Sequence, residues 1–263
     1  MVVGHRPALP ESLQLRPDEV HVWCVDLDVA SQSAASLYAS SLSAEERSRC
    51  ARFRFPRDRQ RFIVAHGVLR ECLGGYLDVD PDRISYEHNA FGKPDQHARF
   101  GGRLRFNLSH SAGLALIAVV LDANIGVDIE RIRATRELTD IAKFFFSPAE
   151  LDNVLSLPSH RRCAAFFHCW TKKEAYLKAC GVGLTIPPDA FSVPLDDIDA
   201  PTSGELELVS DAGGLVSRWS MRTLMPASDY IGALAVEGTG LRLRQWRWKT
   251  TTPRREQPRR IPA

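Results

Sequence analysis

The chain has 263 residues, with 34 basic side chains against 32 acidic ones and a net charge of +2. Apolar residues make up 44% and charged residues 25%, which excludes collagen-like, low-complexity and wholly disordered chains. The length admits one large domain or two of about 100–150 residues, each able to bury a core without disulfides or structural metal.

The N-terminus, MVVGHRPALPE, lacks the basic and apolar regions of a signal peptide. Val25-Asp-Leu-Asp28 alternates as a strand does. Ser43-Ala-Glu-Glu46 has the S-x-x-E form of a capping box, which satisfies free N–H groups at a helix start. A helical pattern then runs from Arg57 to Gly74, a glycine suited to a C-terminal cap. Leu104–Leu108, Leu114–Val120 and Ile125–Glu130 read as strands joined by short turns, hence antiparallel. A second capping box, Ser147-Pro-Ala-Glu150, precedes a helical pattern from His160 to Gly181. Strands are expected near 204–209, 216–224 and 231–237. Helices together with antiparallel strands make the fold α+β. The longest apolar run, Leu114–Leu121, is far too short to span a bilayer. None of the six cysteines forms Cys-x-x-Cys, so the expectation is reduced thiols in a cytoplasmic protein with no zinc framework. From Leu241 onward eight basic residues face one acid, giving +7 and leaving −5 on the rest. The end of this segment, TTPRREQPRRIPA, reads as a disordered tail, not as the basic face of a nucleic-acid binder.

Four pairs of peptides recur in the same order. They are Val25–Asp28 with Val127–Glu130, the two capping boxes, the two helices ending at Gly74 and Gly181, and Pro81-Asp-Arg-Ile-Ser85 with Pro188-Asp-Ala-Phe-Ser192. The pattern predicts a duplication, with an N-terminal half over 1–122, a C-terminal half over 123–240, and a last strand and tail over 241–263. At the spacing of 107 that separates the two glycines, Lys173, Glu174 and Lys178 fall opposite His66, Gly67 and Glu71. One composite site is then expected, with its acids in the second half.

Several motifs carry candidate chemistry. In Ile125-Gly-Val-Asp-Ile-Glu130 a period of two puts Asp128 and Glu130 on one strand face. Such a pair is either a wet acidic face or two ligands for a hard cation such as Mg²⁺. In the helix beginning at Phe166, Trp170, Lys173, Glu174, Leu177 and Lys178 share one face. Glu174–Lys178 is then either a surface ion pair or a carboxylate and a lysine at an apolar rim. A carboxylate there suits a third metal ligand or a base, and the lysines suit phosphate. Phe106-Asn-Leu-Ser-His-Ser111 is either a polar turn or an anion site, and no G-x-S-x-G elbow accompanies it. Phe91-Gly-Lys-Pro94 puts Lys93 in a rigid turn. Arg57-Asp-Arg-Gln-Arg61 opens a helix with charges that are solvated or bind phosphate.

In these residues the sequence resembles the 4′-phosphopantetheinyl transferases of the larger, Sfp-like type. The matching elements are Arg57-Asp-x-x-Arg61, Gly92-Lys-Pro94, Phe106-Asn-Leu-Ser-His-Ser111, Ile125-Gly-Val-Asp-Ile-Glu130, Phe145-Phe-Ser147, Trp170-x-x-Lys-Glu-Ala175-x-x-Lys178 and Phe191-Ser-Val193. The resemblance implies two similar α/β halves related by a pseudo-two-fold, with coenzyme A and Mg²⁺ between them. It implies Asp128, Glu130 and Glu174 at the metal, and Arg61, Lys93, Ser109, His110 and Lys173 at coenzyme A, with Arg49 a looser match. The implied reaction moves 4′-phosphopantetheine onto a serine of an apo acyl or peptidyl carrier domain and releases adenosine 3′,5′-bisphosphate. Glu174 would take the serine proton and Lys178 would assist the leaving phosphate. A monomeric cytoplasmic enzyme without nucleic-acid or membrane partners is expected. A coenzyme A- or nucleotide-binding partner protein without turnover and an unrelated Mg²⁺ phosphodiesterase are the alternatives.

Overall fold

The computed structural model describes residues 14–28, 32–89, 91, 94–96, 101–134, 137–181, 185–195, 207–209 and 218–249. Its strands are β1 (Glu19–Asp26), β2 (Tyr86–His88), β3 (Pro94–Gln96), β4 (Leu104–Ser111), β5 (Leu114–Leu121), β6 (Ile125–Arg131), β7 (Glu207–Val209), β8 (Trp219–Leu224), β9 (Tyr230–Glu237) and β10 (Arg242–Arg247). Its helices are α1 (Gln32–Ser41), α2 (Ala44–Ala51), α3 (Pro56–Leu77), α4 (Leu138–Phe145), α5 (Pro148–Ser156) and α6 (Ser159–Cys180). The expected α+β class is what forms. Lys93 and the tail residues 250–263 lie outside the described residues, as do Gly92 and parts of the predicted strands at 204–206 and 216–217.

The residues divide into two compact units, one built on Asp26–Ile84 and the other on Gln14–Val25 with Ser85–Trp248. In the first unit α3 packs on α1 and on a 3₁₀ turn at Pro81–Arg83. A Cβ on Gly67 would collide with the Tyr38 side chain of α1, so this glycine is where the two helices close. In the second unit one sheet runs β10-β1-β5-β4, a second β6-β9-β8-β7, and β2-β3 form a small pair. The predicted run of three antiparallel strands is half right. β4 and β5 pair from Leu104↔Leu121 to Ser111↔Leu114, but β6 crosses to the other sheet and pairs with β9. The turn Asp122–Asn124, with Asp122 at φ 56°, is where the chain changes sheets. Between the sheets lie the apolar faces of Ile125, Val127 and Ile129, with Leu116, Ala118, Leu224 and Leu234.

The duplication is visible inside each unit. Ser43 and Ser147 both cap a helix, and the backbone N–H of each donates back to a glutamate carboxylate, Glu46 or Glu150. α3 and α6 are both 22 residues long. Each ends in a left-handed cap and is followed by a 3₁₀ turn, Pro81–Arg83 or Pro188–Ala190. The expected cap at Gly74 is corrected, however. α3 continues to Leu77 and Asp78 takes the left-handed position at φ 54°, as Gly181 does at φ 68°. Gly74 sits inside the helix, where a Cβ would press on the Val79 carbonyl. The helices therefore correspond at a spacing of 103, not 107. Lys173 matches Arg70, Glu174 matches Glu71, and Lys178 matches Gly75.

This register exposes a shared device. Arg70 Nε donates to Glu46 at 2.6 Å, and its Nη1 donates to the carbonyls of Pro81 at 3.0 Å and Ile84 at 2.8 Å. Lys173 Nζ pairs with Glu150 at 2.7 Å and donates to the carbonyls of Pro188 and Phe191 at 2.6 Å each. In both units a buried cation ties the capping-box glutamate to the turn beyond the long helix. Burial opposes the Glu46 charge, but bonds from His66, the Ser43 N–H and Arg70 hold its carboxyl down at about 2.

Candidate active site

Of the acid pair on β6, Asp128 is buried and Glu130 half-buried. Gly126, Asp128 and Glu130 face away from the apolar core of Ile125, Val127 and Ile129, and α6 lies across them. The helix can come so close because position 126 has no side chain. A Cβ there would overlap the Ala175 carbonyl oxygen and the Ala179 amide nitrogen. Ala175 and Ala179 are themselves small, so G-V-D-I-E and the alanines of α6 fit as one contact.

That approach brings Lys178 onto Asp128. Lys178 Nζ lies 2.6 Å from Asp128 Oδ1 and 3.0 Å from Ser109 Oγ, and Ser109 Oγ donates to the same carboxylate oxygen at 2.8 Å. Asp128 is 3% exposed, and its other oxygen, Oδ2, is buried without a hydrogen-bond partner. Glu130, one step along the strand, accepts from Ser111 Oγ at 2.6 Å. Trp170, Glu174 and Lys178 form the half-buried line of α6. Burial raises the Glu174 carboxyl above its ordinary range. The Asp128 charge adds to this, Lys178 opposes it, and Glu130 adds to it again. Burial likewise raises Glu130, against the Ser111 bond and with the Asp128 charge.

Three acids that disturb one another and an orphaned buried carboxylate oxygen fit a hard cation, which takes oxygen ligands. Among the described residues no three acid, histidine or cysteine side chains already stand as a closed ligating cluster. The fit therefore rests on the donor chemistry and on Asp128 Oδ2.

The remaining expected residues separate. Lys173 is turned inward and is 2% exposed. An ammonium has three N–H bonds, and those of Lys173 meet Glu150, Pro188 and Phe191, which leaves none for a phosphate. Neighbouring Lys172 is also buried and donates to the Pro194 carbonyl at 2.7 Å. Ser109 is buried and turned to Asp128, whereas His110, next to it on the strand, is exposed. Arg61 belongs to the first unit. There its guanidinium grips Asp28 through two bonds of 2.8 and 2.7 Å, while Arg57 adds a third at 3.0 Å. These bonds hold the Asp28 carboxyl well below its usual range. Arg49, on the same unit, is exposed and lies over the Phe62 ring at 5.6 Å. The expectation that the first copy lacks the acid as well as both lysines is corrected for the acid. Glu71 stands opposite Glu174, where burial pushes its carboxyl up to about 7, while Arg70 and Gly75 stand opposite the two lysines.

Asn107 was overlooked. Its side-chain oxygen accepts the Val127 N–H at 2.9 Å. With Ser109 and Ser111 it forms an N-x-S-x-S row that meets β6 residue by residue, and the period of two in that motif was the available signal.

Comparison with known proteins agrees with this architecture. Residues 29–122 match the family model "4′-phosphopantetheinyl transferase, N-terminal", and residues 124–234 match "4′-phosphopantetheinyl transferase superfamily". The chain is 39% identical over 241 residues to the 4′-phosphopantetheinyl transferase HetI of Nostoc sp., covering 91% of this chain and 96% of that one. It is 32% identical over 182 residues to the 4′-phosphopantetheinyl transferase Sfp of Bacillus subtilis, covering 67% and 76%. A further Bacillus subtilis 4′-phosphopantetheinyl transferase is 35% identical over 167 residues, covering 64% and 72%. The chain belongs to the 4′-phosphopantetheinyl transferases, a family of enzymes, and to their larger, Sfp-like type. Among the described residues no helix is long and apolar enough to cross a membrane.

Proposed function

We propose that this enzyme transfers 4′-phosphopantetheine from coenzyme A to a serine of an apo acyl or peptidyl carrier protein, with Mg²⁺, and releases adenosine 3′,5′-bisphosphate. The observation that carries the metal site is the buried, unpartnered Asp128 Oδ2 beside Glu130 and Glu174. These three carboxylates would hold Mg²⁺, which when bound neutralises charge on the pyrophosphate. Glu174 takes the proton of the attacking serine, directly or through water, from its half-buried place on α6. Lys178, one helical turn on, supplies positive charge to the departing phosphate. His110, Arg61, Arg49 and Lys93 are the proposed coenzyme A contacts. Ser109 and Lys173, whose donors are spent inside the protein, are not among them. The proposed division is 1–122 and 123–240, with 241–263 carrying the last strand and tail. The enzyme would act as a cytoplasmic monomer on carrier domains.

The test is mass spectrometry of an apo carrier protein incubated with coenzyme A and Mg²⁺. A mass gain on the carrier, lost with Asp128→Ala at unchanged melting temperature, is expected. Coenzyme A binding without any gain would favour a non-catalytic binder.

A further inference from the structure

Resting on the reading of Glu130 as a metal carboxylate, we propose that Ser111 is a positioning residue for that group. β4 and β6 lie side by side but belong to different sheets, so no backbone ladder fixes one against the other. Side chains of β4 do this instead. Asn107 Oδ1 accepts the Val127 N–H at 2.9 Å, Ser109 Oγ donates to Asp128 at 2.8 Å, and Ser111 Oγ donates to Glu130 Oε2 at 2.6 Å. Ser111 is bonded twice, since the same oxygen accepts the Arg131 N–H at 3.2 Å. The hydroxyl is thus held by the β6 backbone one residue beyond the acid it orients.

The roles along this row differ. Asp128 has two supports on Oδ1, Ser109 and Lys178, so losing one hydroxyl leaves the other. Glu130 has a glutamate's extra rotatable bond and stands half exposed near the strand end, and Ser111 is the hydroxyl that meets it. A ligand on a longer side chain loses more freedom on binding a metal unless its rotamer is already chosen. Ser111 makes that choice through a short, charge-assisted bond.

The test compares Ser111→Ala and Ser111→Thr with wild type and with Glu130→Ala. Mn²⁺ binding is followed by electron paramagnetic resonance, and the Mg²⁺ dependence of carrier modification is measured alongside. Loss of a group that orients a metal ligand costs roughly 10–100-fold in metal affinity. Ser111→Ala should therefore bind Mn²⁺ at least about 10-fold more weakly and need correspondingly more Mg²⁺ for half-maximal rate. Its rate at saturating Mg²⁺ and its melting temperature should stay near wild type. Ser111→Thr keeps the hydroxyl and should restore binding to within about three-fold. If Glu130→Ala loses Mn²⁺ while Ser111→Ala does not, or if the threonine variant fails like alanine, the positioning role is overturned and the metal reading stands. If Glu130→Ala binds Mn²⁺ like wild type, the metal reading itself falls.

Discussion

Gly126→Ala tests how the site is assembled. The new Cβ would fall inside contact distance of the Ala175 carbonyl oxygen, the Ala179 amide nitrogen and the Ala179 Cα. All three are backbone atoms of α6, so no rotamer change relieves them, and the helix must move off the strand. Overpacking of this kind costs about 1–3 kcal/mol. The upper part of that range applies here, and at about 2–4 °C per kcal/mol for a chain of this size the melting temperature should fall by about 5–10 °C. The shift also draws Lys178 Nζ away from Asp128, 2.6 Å distant in the native chain, and Glu174 with it. A misplacement of about 1 Å at reacting groups costs up to 10²-fold, and single-turnover modification of a carrier protein should fall on that scale. Ala179→Gly should not rescue the variant, because it removes a side chain whereas the collision is with backbone. Circular dichroism melts and mass-spectrometric time courses measure the two effects. A Gly126→Ala protein that melts within 1 °C of wild type and turns over within two-fold would refute the close approach and its role.

Glu174→Gln should leave coenzyme A binding by calorimetry intact and lower single-turnover rate by about 10²–10⁴-fold, and Lys178→Ala should slow the same step with less effect on binding. Turnover within a few-fold of wild type in Glu174→Gln would sink the proposed base. Lys173→Ala removes the buried cation paired with Glu150 and should cost about 3–5 kcal/mol. A large drop in melting temperature is therefore expected, whereas a stable variant with weakened coenzyme A binding would return Lys173 to the ligand. Glu71 carries a folded-state value of about 7 against an ordinary 4.5, so the native chain holds more protons between those limits. Stability should fall as pH rises through that window, by roughly 3 kcal/mol in all, and Glu71→Gln should flatten the profile of melting temperature against pH.

Local signals were the legible ones. Both capping boxes, both long helices and the D-x-E strand could be read directly, because each depends on neighbours within a turn or a pleat. The errors came where a residue's role is set across the fold. Gly74 resembles a helix end, yet Asp78 ends the helix, since aspartate also reaches the left-handed region at modest cost. That four-residue slip set Glu174 opposite Gly67 and hid its match with Glu71. Lys173 shares a helical face with Glu174 on a wheel, but the Pro188–Ala190 turn and Glu150 take it into the interior. Neither the crossing of β6 to a second sheet nor the approach of α6 over Gly126 leaves a periodic trace, because both depend on partners far along the chain.

The seam between β4 and β6 has a further consequence for how the molecule breathes. Its amides at Val127 and Arg131 hang on a side-chain carbonyl and a hydroxyl, not on a strand partner. Hydrogen exchange at Val127, whose bond is buried, should therefore report the parting of β4 from β6 and not the fraying of either sheet. Each parting releases both acids from their hydroxyls together. If the acids hold Mg²⁺ as proposed, its apparent affinity would be scaled by the fraction of time the seam is shut. Mild denaturant should erode that affinity well before the sheets themselves melt.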